Sequence, residues 1–458
     1  MDRDKLDFGN GKIGQLFRSM FFPTLIGMIF NSVLNLCDGM FVGHGVGSNA
    51  LAAINIVAPL FLVCTGIGLM FGIGASVIGS IRLAEGNVKG ARIIMTQAYI
   101  AGGMIFGIVI LVSLLFTRPV LYALGCSPAL ERLATDYLLW LLPGLVFFYL
   151  QCAGMMLIRL DGSPKYAMSV QIVAAILNIF LDWLMVFPLD MGIKGASIAT
   201  SISCVVAGLM VLCYFIFFSD KLKFYRIKMS VKSLMLSLRN TGYMIRVGLA
   251  TFIAELAMGV MMVTGNYIFL DYLGEAGVAA FSVGCYLFPL IFSISNAVAQ
   301  ASQPIISFNY GAGQYDRVRM ALKIAIVTAC FCGVIISLIM WIGSPFLTAI
   351  FLSPSETAYS LAIKGLPLLG LCALFFAPNI TFIGYYQSCE QAARSIMYML
   401  MRGVIFMIPG FILLPQLIGE AGLWLAIPLA ELLTLIAIVL LYFFPPNKKV
   451  RNRPETYS

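Results

Sequence analysis

Apolar positions along this chain fall in long unbroken runs, not in alternation. A membrane-spanning helix needs about 20 mostly apolar residues. Runs of that kind occupy 13–40, 50–80, 91–117, 131–158, 166–188, 195–218, 240–272, 278–307, 318–343, 358–386, 392–414 and 421–444. The pattern predicts an all-α polytopic membrane protein with twelve transmembrane helices. Continuous runs argue against a transmembrane β-barrel, whose strands alternate apolar and polar positions. Several runs are long enough to require tilting or bending. Pro23, Pro59, Pro143, Pro289 and Pro367 lie inside them, where they can kink a helix. The first run is too long for the apolar segment of a cleavable signal peptide, so it is expected to remain as an anchor.

Composition agrees with this reading. Of 458 residues, 61% are hydrophobic and only 11% charged, too few charges to coat a soluble domain of that length. The net charge is +9, and the basic residues fall in alternate loops. One side carries Arg3, Lys5, Lys12, Arg18, Arg82, Lys89, Arg92, Arg159, Lys165 and the run from Lys221 to Arg246. It continues with Arg317, Arg319, Lys323, Arg394, Arg402 and the tail from Lys448 to Arg453. The other side carries Arg118, Arg132, Lys194 and Lys364. The positive-inside rule then puts both termini in the cytoplasm, with the chain in the cell (inner) membrane. Positive charge used this way sets topology, so no nucleic-acid partner is expected. The eleven cysteines lie mostly inside spans and suggest no disulfide framework. His44 is the only histidine and has no partners for a metal site.

The two halves repeat. Gly47-Ser-Asn-Ala-Leu-Ala-Ala53 matches Gly274-Glu-Ala-Gly-Val-Ala-Ala280, 227 residues on. At the same spacing Gly86-Asn-Val-Lys-Gly-Ala-Arg92 matches Gly313-Gln-Tyr-Asp-Arg-Val-Arg319, and Gly192 and Gly195 match Gly419 and Gly422. Ser127-Pro128 matches Ser353-Pro354 at 226. Matches in register along the whole chain imply duplication. Each half has six spans, so both start on the same side and form a parallel repeat. The expected organisation is an N-lobe at 1–218, a basic linker at 219–239, a C-lobe at 240–446 and a basic tail at 447–458.

Most acidic residues sit in loops or at span ends. Asp38, Asp182, Glu255 and Glu431 fall within spans, with no base clearly mid-span to neutralise them. A charged group at membrane depth costs at least about 2.5–3.5 kcal/mol, so such acids must be protonated, hold a cation or face water. Asn31, Asn35 and Asp38 share one face of the first helix, and Gln171, Asn178 and Asp182 one face of the fifth. Thr200 and Ser203 lie on the sixth. If these helices are neighbours, two carboxylates meet amide and hydroxyl oxygens, hard donors suited to a proton or Na⁺. Interhelical hydrogen bonding is the plainer role open to Asn31, Gln171 and Ser203. Glu255 and Glu431 have no acidic counterpart in the first half. They are expected as a second proton site, a negative wall for cationic substrates, or water-facing structural groups.

No P-loop, HExxH, Gly-x-Ser-x-Gly or metal-ligand cluster is present, so no enzyme and no cofactor is expected. The residues do resemble a known family, the multidrug and toxic compound extrusion (MATE) transporters, over essentially the full length. The resemblance rests on Asp38-Gly-Met-Phe-Val-Gly43 with Ala50-Leu-Ala-Ala53, and on Asn178-Ile-Phe-Leu-Asp182. Gln303-Pro-Ile-Ile-Ser-Phe-Asn-Tyr-Gly-Ala312 with Arg317-Val, and Gly419-Glu-Ala-Gly-Leu-Trp424, add to it. The Asn-Tyr-Gly-Ala segment and the acidic seventh and twelfth spans are similar to the prokaryotic MepA-like branch. The resemblance implies a two-lobed fold, a monomer in the lipid bilayer, and antiport of organic-cation small molecules against H⁺ or Na⁺ by alternating access. It also implies a cation site at Asp38, Asn178, Asp182 and Thr200. Asn31, Asn35, Gln171, Glu255, Asn379 and Glu431 are further candidates for substrate or a second proton. Some relatives pair acids on helices 7 and 10. Glu255 matches the first, but helix 10 offers only Asn379, which departs from a second Na⁺ site. A lipid-linked glycan flippase is the rival reading, though the acids in these spans do not suit a pyrophosphate.

Overall fold

The described residues of the computed structural model are 6–227 and 230–443. The side chain of His44, the end of the twelfth span and the basic tail at 447–458 lie outside what is described. Fifteen α-helices follow one another, with no strand among the described residues. They are α1 (Ile13–Gly45), α2 (Ser48–Ala84), α3 (Val88–Leu115), α4 (Thr117–Ala123) and α5 (Glu131–Leu160). Next come α6 (Pro164–Val186), α7 (Gly192–Cys213), α8 (Val231–Gly311), α9 (Tyr315–Ile342) and α10 (Ser344–Ala349). The last five are α11 (Thr357–Gly370), α12 (Cys372–Ser388), α13 (Ala392–Leu400), α14 (Met407–Ile418) and α15 (Glu420–Phe443).

The 81 residues of α8 would reach about 120 Å if straight, far more than a bilayer. The helix breaks at Gly274, where φ is 65° and ψ −159°, and the chain turns back. The Phe269 and Phe281 rings stack at 4.5 Å, although twelve residues of straight helix would hold them about 18 Å apart. α8 is therefore two crossings, a first leg before Gly274 and a second leg after it. α11 and α12 make one crossing interrupted at Leu371, and α13 and α14 make another through a wide π-turn at Met401–Ile405. That gives twelve crossings in two six-helix lobes, and the chain is a multi-pass membrane protein. The segment expected as a linker at 219–239 is helical from Val231 onward, where Ser230 caps the helix by accepting from the Ser233 N–H at 3.2 Å.

The duplicated glycines are structural stops. Gly47, Gly86 and Gly192 have φ of 111°, 76° and 58°; their counterparts Gly274, Gly313 and Gly419 have 65°, 72° and 65°. A side chain disfavours this left-handed region, so the repeat preserves glycine where the helices must end. Two apolar cores follow the same division. One runs through residues from Val42 to Met244 and the other from Ala250 to Ile438.

The lobes meet along α2 with the first leg of α8, and α1 with its second leg. Gly74 lies against the Met244 carbonyl, and Gly248 reciprocally against the Met70 carbonyl; a Cβ at either would overlap backbone. Farther toward the basic end, Arg159 Nη1 donates to Gln300 Oε1 at 2.6 Å, and Ser80 Oγ to the Pro304 carbonyl at 3.4 Å. Arg317 Nη2 donates to the carbonyls of Phe8 (3.0 Å) and Gly11 (2.8 Å), tying the N-terminal segment to the second half. Toward the opposite end Asn35 and Met40 on α1, Asn55 on α2, and Asn266 and Tyr267 on α8 are exposed. The ties that Arg159, Ser80 and Arg317 make between the lobes gather toward the basic end.

Candidate functional site

α1, α6 and α7 pack side by side, as the grouping of polar positions requires. Asp182 is fully buried on α6, one turn beyond the equally buried Asn178. In the orientation that satisfies both ends of its amide, Asn178 Nδ2 donates to Asp182 Oδ2 at 3.1 Å and its Oδ1 accepts from the Thr200 N–H at 3.2 Å. Thr200 Oγ1 is turned to the Ala196 carbonyl at 3.1 Å. From α1, Asp38 comes within electrostatic reach of Asp182, and both act on the Tyr137 hydroxyl of α5.

The carboxylates are incompletely satisfied. Asp38 Oδ1 and Asp182 Oδ1 are sealed from solvent and accept no hydrogen bond. Neither acid takes part in a salt bridge among the described residues. Buried acceptors left in this state call for a proton or a cation. The donor set is oxygen only, two carboxylates with an amide and a hydroxyl beside them, which fits H⁺ or Na⁺ and does not suit a soft metal.

The other candidates separate. Gln171 reaches across to α1, where only a glycine at position 27 leaves room for its side chain, and its Oε1 is sealed without a donor. Asn31 and Asn35 are exposed and hydrogen-bond to no described residue. Ser203 bonds its own helix at the Ala199 carbonyl, 2.8 Å away. Glu255 is buried on the first leg of α8, against Gly66 of α2 and close to Cys152 of α5. It therefore faces the first lobe across the seam, without touching Asp38 or Asp182.

The expectation that no base neutralises the acids within the spans is overturned for Glu431. Arg402, assigned by charge pattern to the basic loops, is buried in the π-turn after α13 and pairs with it. Arg402 Nη2 donates to Glu431 Oε1 at 2.5 Å, and Nε donates to the two oxygens at 3.0 and 3.1 Å. Asn379 Nδ2 donates to Glu431 Oε2 at 2.8 Å. The wide turn swings the arginine inward, an adjustment that helical periodicity does not anticipate. Arg159 was also assigned to a loop and is 1% exposed, in the last turn of α5. Its Nε has no acceptor, and it forms no ion pair with a described residue.

Known proteins share this architecture. The MatE family profile matches residues 23–184 and again 250–412, once in each half. "Multidrug export protein MepA" of Staphylococcus saprophyticus is 24% identical over 435 residues, covering 94% of both chains. The protein of that name from Staphylococcus aureus strain MRSA252 is 23% identical, covering 92% of this chain and 91% of its own. Among solved structures, one described as an outward-facing conformation of a multidrug resistance MATE family transporter aligns with a TM-score of 0.87 at 21% identity. It covers 96% of this chain and 97% of that one. A MOP superfamily transporter from Pyrococcus furiosus, whose binding pocket is described as reversed in polarity, aligns at 0.85 with 22% identity, covering 94% and 95%.

Proposed function

The chain belongs to the MATE family, and on that premise we propose that it is a multidrug efflux transporter, a cation-coupled antiporter and not an enzyme. It sits in the cell membrane with both termini and the basic loops in the cytoplasm, so the end of the seam tied by Arg159, Ser80 and Arg317 is the inner one. One observation carries the coupling reading: Asp38 and Asp182 lie within electrostatic reach of one another, each with one sealed oxygen that accepts no hydrogen bond, and neither forms an ion pair with a described residue. A proton or Na⁺ arriving from outside satisfies them. Its binding and release then change which lobe arrangement is favoured, and that linkage lets an ion gradient drive an organic cation outward. Polar side chains from three helices hold the site, so a shift of α1 relative to α6 and α7 alters its affinity.

The test is ethidium efflux from proteoliposomes under a pH gradient alone and under a Na⁺ gradient alone. One of the two should drive export, and Asp38→Asn or Asp182→Asn should abolish the gradient-driven part. Undiminished gradient-driven export by both variants refutes the assignment.

A further inference from the structure

The segment joining the lobes lies along α3 as a strap. Leu222 is buried, and the Phe224 ring sits 5.4 Å from Tyr99 and 6.0 Å from Phe215. The Tyr225 N–H donates to Thr96 Oγ1 at 3.0 Å, and Arg92 Nε donates to the Lys221 carbonyl at 2.7 Å. The depth of these contacts follows from α3. Its 28 residues span about 42 Å against a hydrocarbon core of about 30 Å, which leaves about 6 Å beyond the core at each end. Thr96 stands about 12 Å from the start of α3, just inside the edge of the core. The start of α8 stands beside it, because Gln97 Nε2 donates to Ser237 Oγ at 2.8 Å and Asn240 Nδ2 donates to Gln97 Oε1 at 2.9 Å.

Helical spacing sorts the first turns of α8. Ser233, Ser237 and Asn240 share the face turned to α3, and Val231, Leu234, Met235 and Leu238 share the opposite one. The latter four are 62–78% exposed. Lys232 and Arg239, seven residues apart, flank that stripe. On the strap Lys223 and Arg226 are exposed, and Lys89 of α3 lies 5.6 Å over the Tyr225 ring beside them. Lys223, Arg226 and Lys232 form no ion pair with a described residue. No acidic residue occurs from Lys221 to Ala254, whereas other basic loops interleave the signs: Arg82 pairs with Glu85 at 3.2 Å and Arg319 with Asp316 at 2.8 Å. Lys221 stands apart from the cluster, since Asp7 comes within electrostatic reach of it.

We infer that the strap and the start of α8 form a site for an anionic phospholipid of the inner leaflet. Its phosphate is held by Lys89, Lys223, Arg226 and Lys232, and its acyl chains lie along Leu234, Met235 and Leu238. The leaflet rests on the proposed placement of the basic loops in the cytoplasm. The bases select the headgroup charge, and the exposed apolar stripe at the edge of the core selects a lipid over a soluble anion. The chain's own tail, with Lys448, Lys449, Arg451 and Arg453, carries the same sign of charge and is repelled, as is a second copy presenting the same face.

The experiment titrates the full chain in detergent micelles with phosphatidylglycerol, or with phosphatidylcholine of the same acyl chains, and counts bound lipid by native mass spectrometry. Phosphatidylglycerol should bind more tightly. Lys223→Gln, Arg226→Gln and Lys232→Gln should each weaken it about two- to fivefold and leave phosphatidylcholine as it was. Lys223→Arg combined with Arg226→Lys should keep the preference, and Leu234→Ser combined with Leu238→Ser should weaken both lipids. Lys12→Gln combined with Lys323→Gln removes two exposed basic-side charges elsewhere and should change neither. Glycerol 3-phosphate at the same concentration should not displace the lipid. Equal affinities for the two lipids, an equal loss from the Lys12 and Lys323 changes, or displacement by glycerol 3-phosphate overturns the inference. Binding is read without transport, so this site and the efflux reading can each fail without the other.

Discussion

Arg402→Met tests whether Glu431 belongs to the scaffold or to the cation pathway. The substitution keeps an unbranched apolar stem that reaches about as far as Nε and deletes the charged guanidinium. It removes three contacts of 2.5–3.1 Å to the Glu431 carboxylate and leaves that group with Asn379 Nδ2 alone. The guanidinium also lies 4.2 Å above the Phe376 ring, a contact that methionine replaces only in part. Arg402 is 7% and Glu431 2% exposed, so solvent screening does little for either. Breaking such a pair from one side costs about 3–5 kcal/mol, because a buried charge is stranded. Against a total stability of about 5–15 kcal/mol that is a large fraction. Replacing both partners, Arg402→Met with Glu431→Met, strands no charge and should cost far less than the two single changes added together. Asn379 then keeps the Glu431 backbone carbonyl at 2.8 Å.

Equilibrium unfolding in mixed micelles supplies the four stabilities of a double-mutant cycle. Single changes that each cost under about 1 kcal/mol, or a double change equal to their sum, refute a structural ion pair. Transport gives the complementary reading. A doubly substituted chain that exports ethidium at the usual rate leaves Glu431 with no part in coupling. A stable one that has lost export returns Glu431 to the cation path.

Three further outcomes follow from the geometry of the seam and the linker. Gly248→Ala puts a Cβ into the Met70 carbonyl, which cannot swing aside as a side chain would, so the inner seam should open and gradient-driven export fall severalfold; unchanged export and unchanged cross-linking of α2 to α8 contradict this. Gln300→Glu gives Arg159 the counter-charge it lacks, so thermal stability should rise while turnover slows, and turnover equal to the unchanged chain argues that the seam does not open there. Asp161→Ala removes a carboxylate that accepts from Tyr214 Oη, Ser219 Oγ and the N–H groups of Asp220, Lys221 and Leu222 at 2.8–3.2 Å. The linker should come away from the first lobe, read as faster tryptic cleavage at Lys221, Lys223 or Arg226; a cleavage rate equal to the parent's counts against it.

The fold was legible because the bilayer demands long apolar runs and because glycine is hard to replace where φ is positive. Gly47, Gly86 and Gly192 and their partners carry the repeat in the sequence, and their positive φ explains why they stand at helix ends. What the pattern misplaced were boundaries that no hydrophobic period marks. The helix from Val231 begins inside a stretch whose lysines and arginines read as a loop. The tenth crossing is broken at Leu371, where the run shows no change of hydrophobic pattern beyond Pro367 one turn earlier.

The polar cluster proposed as a cation site was legible for a different reason, and the same reason explains what was missed. Asp38 and Asp182 stand out because an acid inside an apolar run is costly, and helical spacing gathers Asn178 and Gln171 beside Asp182. Arginines near span ends carry no such signal, since topology alone accounts for a base there. Arg159 and Arg402 were therefore counted with the loops, although both are buried. They differ in what surrounds them. Arg402 is neutralised by Glu431 within its own lobe, which suits a joint that stays fixed. Arg159 crosses to the other lobe and finds only the neutral Gln300, with its Nε unsatisfied. A buried cation held by an amide makes a weaker contact than one held by a carboxylate. On the proposed alternating-access reading such a contact belongs where two lobes separate, and the two arginines would then mark the fixed joint and the moving one.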